Sequence, residues 1–342
     1  MVRGLDEGRW RGNSVWPRSL AIVPDMTGRR RLLGTGVVVS ALTMAGFAVA
    51  APGATGVAAP PAPPPVTRVA QPDFGNMVTA GGQTQWLQCK GKGPVTIVIS
   101  PGWGDTVRSW TTGPDYAIFD RFAAMTRTCI MDRAGLGRSR PRQGAREATA
   151  GQQARELHAA LWAAGERGPY IPLGHSYAGL IVRSFVEQFP NEIAGLELMD
   201  AATPNDYWGH WGNPEPVDLD TGNAQVGGMN RPKIGHKPLL VIGGNKGETA
   251  DAEHDWLANQ AKAVKLSKNA MRIVVRRGQH ELQKAADWNL GQAGVGPHVD
   301  GRPALIKATR LLVHTVIAHG TFGGCSAAWQ SLRAVCSVRV LP

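Results

Sequence analysis

The sequence predicts an α/β fold with a mainly parallel central sheet flanked by helices. Strand-like and helix-like segments alternate from about residue 71 onward, and no internal repeat interrupts the alternation. The strand-like segments are short and apolar, and turn-forming residues separate them. With 342 residues, 43% of them hydrophobic, the chain can build a substantial core.

Each element follows from a local pattern. The predicted elements are, in chain order, strands at 84–89, 95–100 and 126–132, a helix at 151–165, a strand at 170–176, a helix ending at Pro190, strands at 195–200, 238–244 and 271–275, and a closing helix at 305–319. In the first helix, Leu157 and Leu161 recur at helical spacing with alanines on the same face. The second helix has Ile181 and Phe185 at the same spacing and ends because proline cannot continue it.

Residues 1–59 have the layout of an export signal. Three arginines precede a largely apolar run at 32–51, and Ala-, Gly- and Pro-rich sequence follows. The stretch GRRRLLG favours the twin-arginine route, and Met26 is an alternative start of translation. An uncleaved membrane anchor is the alternative for the apolar run, since about 20 residues just span a bilayer. A Pro-rich linker is expected at 60–70.

The charge pattern disfavours a nucleic-acid partner. Net charge is +11, and the seven arginines and three acids of residues 1–59 carry +4 of it. The remaining +7 is spread out, without a dense Lys/Arg run interleaved with aromatic residues. A loose association with anionic polymers of the cell envelope accounts equally well for this charge.

The chain has four cysteines, Cys89, Cys129, Cys325 and Cys336. An even number in an exported chain favours disulfides, with four buried thiols as the alternative. The closely spaced pairs typical of zinc ligands are absent from the sequence, so no metal site is expected.

Ser176 lies in the stretch PLGHSYAGL, between a predicted strand and a predicted helix. The small residues Gly174 and Ala178 permit the sharp turn that exposes a serine hydroxyl at the end of a strand. This context predicts that Ser176 is a nucleophile, which requires an imidazole base and an acid that orients the imidazole. His280 is the predicted base because its loop follows the last predicted strand, whereas His175, inside the turn, is expected to be structural.

A reaction at Ser176 also needs donors for an oxyanion. The N–H of Tyr177, the residue after the nucleophile, is the first candidate, and the N–H of Trp103, in the Gly-rich stretch SPGWGD after an early strand, is the second.

The stretches DRAGLGRS, GHSYAGL and GLELMDA resemble exported bacterial members of the α/β-hydrolase superfamily, and the resemblance spans about residues 85–319. It implies an α/β-hydrolase fold over 71–320, a serine hydrolase that needs no cofactor, and a small-molecule ester or acyl substrate. It also makes the strands of Cys89 and Cys129 neighbours that a disulfide could join. Cys325 and Cys336 would then close a small loop in a tail at 321–342.

The resemblance leaves the acid open, because Gly247 stands where the carboxylate is usual, after the strand at 238–244. Asp200 is the preferred acid, since some members of the superfamily place it one strand earlier. Glu248 and Asp251 are the alternatives, and a site without an acid would suit a catalytically silent ligand-binding homologue.

Related enzymes often carry a cap between these two strands. Here residues 201–237 are rich in turn formers, which predicts a small, irregular cap. Tyr207, Trp208 and Trp211 either line the substrate pocket or pack the cap against the body of the domain.

The predicted function is that of an exported carboxylic-ester hydrolase acting through an acyl-enzyme on Ser176, His280 and Asp200. An acyltransferase or a peptidase on the same three residues is the alternative within enzymes. DRAGLGRS contains GxG but no complete phosphate-loop pattern, and it is expected to be a loop-shaping turn.

Overall fold

The structure is a computed structural model that describes residues 71–112, 118–144, 148–204, 232–245, 250–285 and 298–341. Its centre is a single sheet in the order β1-β2-β4-β3-β5-β6-β7-β8-β9. The nine strands described are β1 (Phe74–Ala80), β2 (Gln83–Lys90), β3 (Thr96–Ser100), β4 (Arg127–Met131), β5 (Tyr170–His175), β6 (Leu196–Met199), β7 (Leu239–Asn245), β8 (Asn269–Arg276) and β9 (Ala334–Val340).

The strands β4, β3, β5, β6, β7 and β8 run parallel, as the sequence predicts for most of the sheet. Their residues are almost all buried, because helices cover both faces of a parallel sheet. The described helices are α1 (Arg108–Thr111), α2 (Ile118–Ala123), α3 (Ala150–Ala163), α4 (Ala178–Gln188), α5 (Ala250–Ala263) and α6 (Arg302–Ile317).

Two hydrophobic clusters fill the spaces above and below the sheet. On one face, Leu157 of α3 and Phe185 of α4 pack with the last residues of α5. On the other face, Phe122 of α2, Leu312 of α6 and Trp110 of α1 belong to one hydrophobic cluster. The arrangement is therefore a sheet between two layers of helices.

The two edge strands β1 and β9 were not predicted. β1 pairs antiparallel with β2, and β9 pairs antiparallel with β8, so the segment 321–342 adds a strand to the sheet instead of lying beyond it. Both strands are partly exposed and carry polar residues, so neither has the continuous apolar run that identifies a buried strand.

Two disulfides link the cysteines in the pairs that the sequence analysis expected. Cys89 and Cys129 lie directly opposite each other on β2 and β4, with Cα atoms 4.1 Å apart, and both are fully buried. Cys325 and Cys336 connect the segment before β9 to β9 itself, with Cα atoms 5.7 Å apart.

We expect the double variant Cys89→Ala/Cys129→Ala to lose about 4 kcal/mol in free energy of unfolding, because this disulfide closes a loop of 40 residues in the unfolded chain. The matched variant Cys325→Ala/Cys336→Ala opens a loop of 11 residues and should lose about 3 kcal/mol. Urea unfolding of both variants checks this order, and a larger loss in the second variant would contradict it.

Glu197 carries a fully buried carboxyl group. It lies on β6 with no exposed surface, and it accepts a hydrogen bond of 2.9 Å from the Thr309 hydroxyl of α6. Burial raises the pKa of Glu197 to about 8, and the hydrogen bond from Thr309 opposes the rise only in part. Glu197 therefore stays protonated at neutral pH.

Because the folded-state pKa of Glu197 lies above the ordinary value of 4.5, its contribution to stability is complete below pH 4.5 and is lost as pH rises through about 8. We expect the difference in free energy of unfolding between Glu197→Gln and the wild type to grow in favour of the variant between pH 4.5 and about pH 8, and to become constant above about pH 8. Urea unfolding from pH 5 to pH 9 measures the gain, with Asp120→Asn, an exposed carboxyl paired with Lys90, as the control. A constant difference between Glu197→Gln and the wild type would contradict the expectation.

Candidate active site

Three predicted site residues meet at one edge of the sheet. Ser176 directly follows β5, Asp200 directly follows β6, and His280 lies four residues beyond β8. Since these three strands are parallel, their carboxyl ends lie on the same side, which is where ligands bind in open α/β sheets.

Ser176 occupies the sharp turn between β5 and α4. Its φ of 53° lies in the left-handed region, which is strained for a residue with a side chain. Its carbonyl accepts hydrogen bonds from the N–H groups of Gly179 (2.9 Å) and Ala202 (2.8 Å). These bonds hold the strained turn, as expected for a serine presented to a ligand.

The small residues around Ser176 are required by close packing. A Cβ atom on Gly174 would lie 2.6 Å from the Ala178 carbonyl oxygen, and one on Gly179 would lie 2.6 Å from the Ala202 carbonyl oxygen. Larger residues at either position would push α4 away from the sheet and displace Ser176.

Asp200 and His280 form a direct pair. His280 Nδ1 and Asp200 Oδ2 are 2.7 Å apart, the Asp200 side chain has no exposed surface, and the His280 side chain is 32% exposed. A carboxylate at this distance fixes the imidazole orientation and places the hydrogen on Nδ1, which leaves Nε2 free to accept a proton. Asp200 also has a positive φ, of 41°.

Helix α5 supplies two further donors to Asp200. Trp256 Nε1 (2.9 Å) and Gln260 Nε2 (2.6 Å) both donate to Oδ1. Gly243 of β7 makes room for them, since a Cβ atom there would lie 2.8 Å from Asp200 Oδ1. These donors were not predicted from the sequence, although their spacing of four residues on a helix places both on one face.

The side chains of both alternative acids lie outside the described part of the chain. Glu248 lies outside the described residues, and Asp251 lies in the first turn of α5, with its side chain outside the described part of the chain. In the described part of the chain, Asp200 is the candidate whose side chain is located, and it contacts His280.

His175 contacts the backbone of the predicted base. Its Nε2 donates a hydrogen bond of 3.1 Å to the His280 carbonyl oxygen, and the two rings are 4.8 Å apart. Burial, together with the nearby His280, lowers the pKa of His175 to about 3. His175 is therefore neutral, and it anchors the loop that carries His280.

The Ser176 hydroxyl forms no hydrogen bond with His280 in the described part of the chain. Such contacts often tighten only when a substrate is bound. The two residues predicted to supply oxyanion donors contact each other. Tyr177 caps the N-terminus of α4, and the ring of Trp103 lies 5.2 Å from the Tyr177 ring in an edge-to-face contact. Trp103 is 49% exposed, whereas Tyr177 is buried.

The predicted pocket aromatics, Tyr207, Trp208 and Trp211, lie outside the described residues, as do residues 205–231 of the predicted cap. Among the described residues, one group has the spacing of a metal site, namely Cys89, Cys129 and Glu166. Its two sulfur atoms are joined in a disulfide and its carboxylate is paired with Arg127, so it offers no thiolate ligand.

Comparison with known proteins agrees with this fold. Residues 95–220 match the family described as the alpha/beta hydrolase fold. The uncharacterized protein YqjL of Bacillus subtilis (strain 168) is 29% identical over 210 residues, which cover 56% of this chain and 79% of that protein.

Two solved structures share the fold. A putative lipase from Acinetobacter baumannii AYE has a TM-score of 0.53 at 15% identity, over 72% of this chain and 93% of that chain. The alpha/beta hydrolase domain-containing protein 10 from mouse has a TM-score of 0.52 at 14% identity, over 71% of this chain and 99% of that chain. With the sheet topology and the turn at Ser176, these matches show that the chain has the α/β-hydrolase fold.

Proposed function

We propose that the protein is a serine hydrolase that cleaves carboxylic esters through an acyl-enzyme. The observation that carries the proposal is the 2.7 Å contact between His280 and the buried Asp200, at the sheet edge where a strained turn presents Ser176. A serine, an imidazole and a carboxylate in this order are the groups that acyl transfer needs.

In the proposed reaction, the Ser176 oxygen attacks the ester carbonyl carbon while His280 Nε2 takes the hydroxyl proton. Asp200 stabilises the imidazolium that results. The negative charge that develops on the carbonyl oxygen is stabilised by the N–H groups of Trp103 and Tyr177, and by the N-terminus of α4.

The second half of the reaction uses the same groups. His280 gives its proton to the leaving alcohol, so that the ester bond breaks and the acyl group remains on Ser176. A water molecule then attacks the acyl-enzyme as His280 takes its proton, and the acid is released as Ser176 regains a proton.

An ester substrate is supported by the description of the similarly folded Acinetobacter protein as a putative lipase. An amine or a second alcohol could also resolve the acyl-enzyme, which would make the protein a peptidase or an acyltransferase. Mass spectrometry of products formed from an ester, an amide and an ester with added alcohol separates these three reactions.

We also propose that the protein is exported. Two disulfides support an oxidising compartment, where such bonds persist. The export-signal region at 1–59, its alternative as a membrane anchor and the linker at 60–70 lie outside the described residues. In the part of the chain that the structure describes, no helix is long and apolar enough to cross a membrane.

We expect Ser176→Ala to abolish labelling by a fluorophosphonate probe and to lower kcat on p-nitrophenyl esters by at least about 10³-fold, because the acyl-enzyme can no longer form. His280→Ala should cause a comparable loss, since the hydroxyl then has no base. Ser184→Ala, a buried serine on α4, is the matched control and should label normally. Full activity of Ser176→Ala would rule out the proposed reaction.

We expect Asp200→Asn to lower kcat by about 10³- to 10⁴-fold, because the amide no longer stabilises the charged imidazole or fixes its tautomer. Glu248→Gln and Asp251→Asn should retain kcat within about threefold, since neither change removes the carboxylate that contacts His280. Steady-state kinetics of the three variants, each checked for folding by circular dichroism, provides the measurement. A selective loss in Glu248→Gln or Asp251→Asn would reassign the acid.

A further inference from the structure

Arg133, in the loop after β4, has a buried guanidinium group. The residue is 8% exposed, and no carboxylate lies within ion-pair distance of it among the described residues. Burial lowers the pKa of Arg133, which reflects the free energy required to keep this charge away from water. Asp105 and Asp132 attract the guanidinium without reaching ion-pair distance, and they offset the effect of burial only in part.

The partners of Arg133 are two consecutive backbone carbonyls. Its Nη1 donates to the Pro101 carbonyl oxygen, and its Nη2 donates to the Gly102 carbonyl oxygen at 2.6 Å. The guanidinium carbon also lies 5.7 Å from the centre of the Tyr177 ring. Arg133 therefore contacts the loop before Trp103 and the side chain of Tyr177. The N–H groups of Trp103 and Tyr177 are the proposed oxyanion donors.

The Gly102 carbonyl belongs to the same peptide unit as the Trp103 N–H. Because this peptide is trans and planar, fixing its carbonyl toward Arg133 directs its N–H the opposite way. The unit also lies against the nucleophile turn: a Cβ atom on Gly102 would be 3.2 Å from Ser176 Cβ and 2.9 Å from His175 Nδ1.

We propose that Arg133 is a positioning residue for the oxyanion hole, which holds the Gly102–Trp103 peptide so that the Trp103 N–H faces the reacting carbonyl. Its positive charge also polarises this peptide and makes the N–H a stronger donor. The inference rests on the proposed function, since an oxyanion forms only if Ser176 attacks a carbonyl. It gives the buried charge of Arg133 a role. The DRAGLGRS loop then positions the oxyanion hole in addition to forming a turn.

A residue with this role acts on the transition state more than on the bound substrate, because the negative charge appears only during attack. We expect Arg133→Met to lower kcat on a p-nitrophenyl ester by about 10- to 100-fold, less than the loss of an oxyanion donor itself, with KM within about threefold. Inhibition by phenylboronic acid, which forms a tetrahedral adduct with serine, should weaken by a similar factor. Arg133→Lys should recover part of kcat, because one ammonium can reach one carbonyl.

Arg138→Met is the matched control. Arg138 lies in the same loop, but its guanidinium lies 4.5 Å from the Trp86 ring, whereas the described hydrogen bonds to the Pro101 and Gly102 carbonyls come from Arg133. This variant removes the same charge from the same loop and should keep kcat, KM and boronate inhibition within about twofold of the wild type.

A measurement without catalysis tests the positioning directly. The Asp105 N–H donates a hydrogen bond of 3.2 Å to the Gly102 carbonyl oxygen, so its hydrogen exchange reports on the position of this peptide. Exchange at Asp105 should accelerate in Arg133→Met and stay unchanged in Arg138→Met.

Selective loss of kcat and boronate affinity in Arg133→Met, together with faster exchange at Asp105, supports the proposal. If activity depends on Ser176 but Arg133→Met keeps its kcat within threefold, or its Asp105 exchange is unchanged, the proposal is overturned and the proposed function stands. If Ser176→Ala is fully active, the proposed function fails and the role of Arg133 fails with it.

Discussion

The geometry of the site depends on a carboxylate that is buried without any contact with solvent. Asp200 can carry a charge there only if hydrogen-bond donors replace water. Among the described residues, the side chains of Trp256, Gln260 and His280 supply such donors. Two of these donors belong to α5 and the third to the loop after β8. Because the buried charge needs these donors, two segments distant in the sequence are held at the end of β6. The orientation of His280 follows from its hydrogen bond to Asp200.

The same edge of the sheet holds two strained backbone positions, at Ser176 and Asp200. The hydrogen bonds between neighbouring strands extend to both residues, which lie just beyond the ends of β5 and β6. The Ser176 N–H donates to the Met199 carbonyl (3.3 Å), and the Asp200 N–H donates to the Ile242 carbonyl (2.6 Å). Strain of about 1–3 kcal/mol at each position is sustained by these bonds and by the packed sheet below them. Side chains placed in this way are positioned by rigid strands and not by flexible loops.

The parallel core was predictable because its strands are local apolar runs bounded by turn residues, and Ser176 was predictable because small residues flank it. The preference for Asp200 over Glu248 came from its place at the end of a strand, and its contact with His280 follows from the parallel order of the sheet. The roles of Trp256, Gln260 and Arg133 depend on tertiary contacts between residues far apart in the sequence, so no local pattern reveals them. The edge strands β1 and β9 were missed for a related reason, since their pairing is set by a neighbour and not by their own composition.

The supply of the buried carboxylate from β6 has a consequence for how the site can diversify. On the neighbouring strand β7, Gly243 lies so close to this carboxylate that a Cβ atom there would be 2.8 Å from Asp200 Oδ1. Laboratory evolution that keeps the acid at the end of β6 must therefore keep glycine at position 243, because a larger residue there would displace the acid.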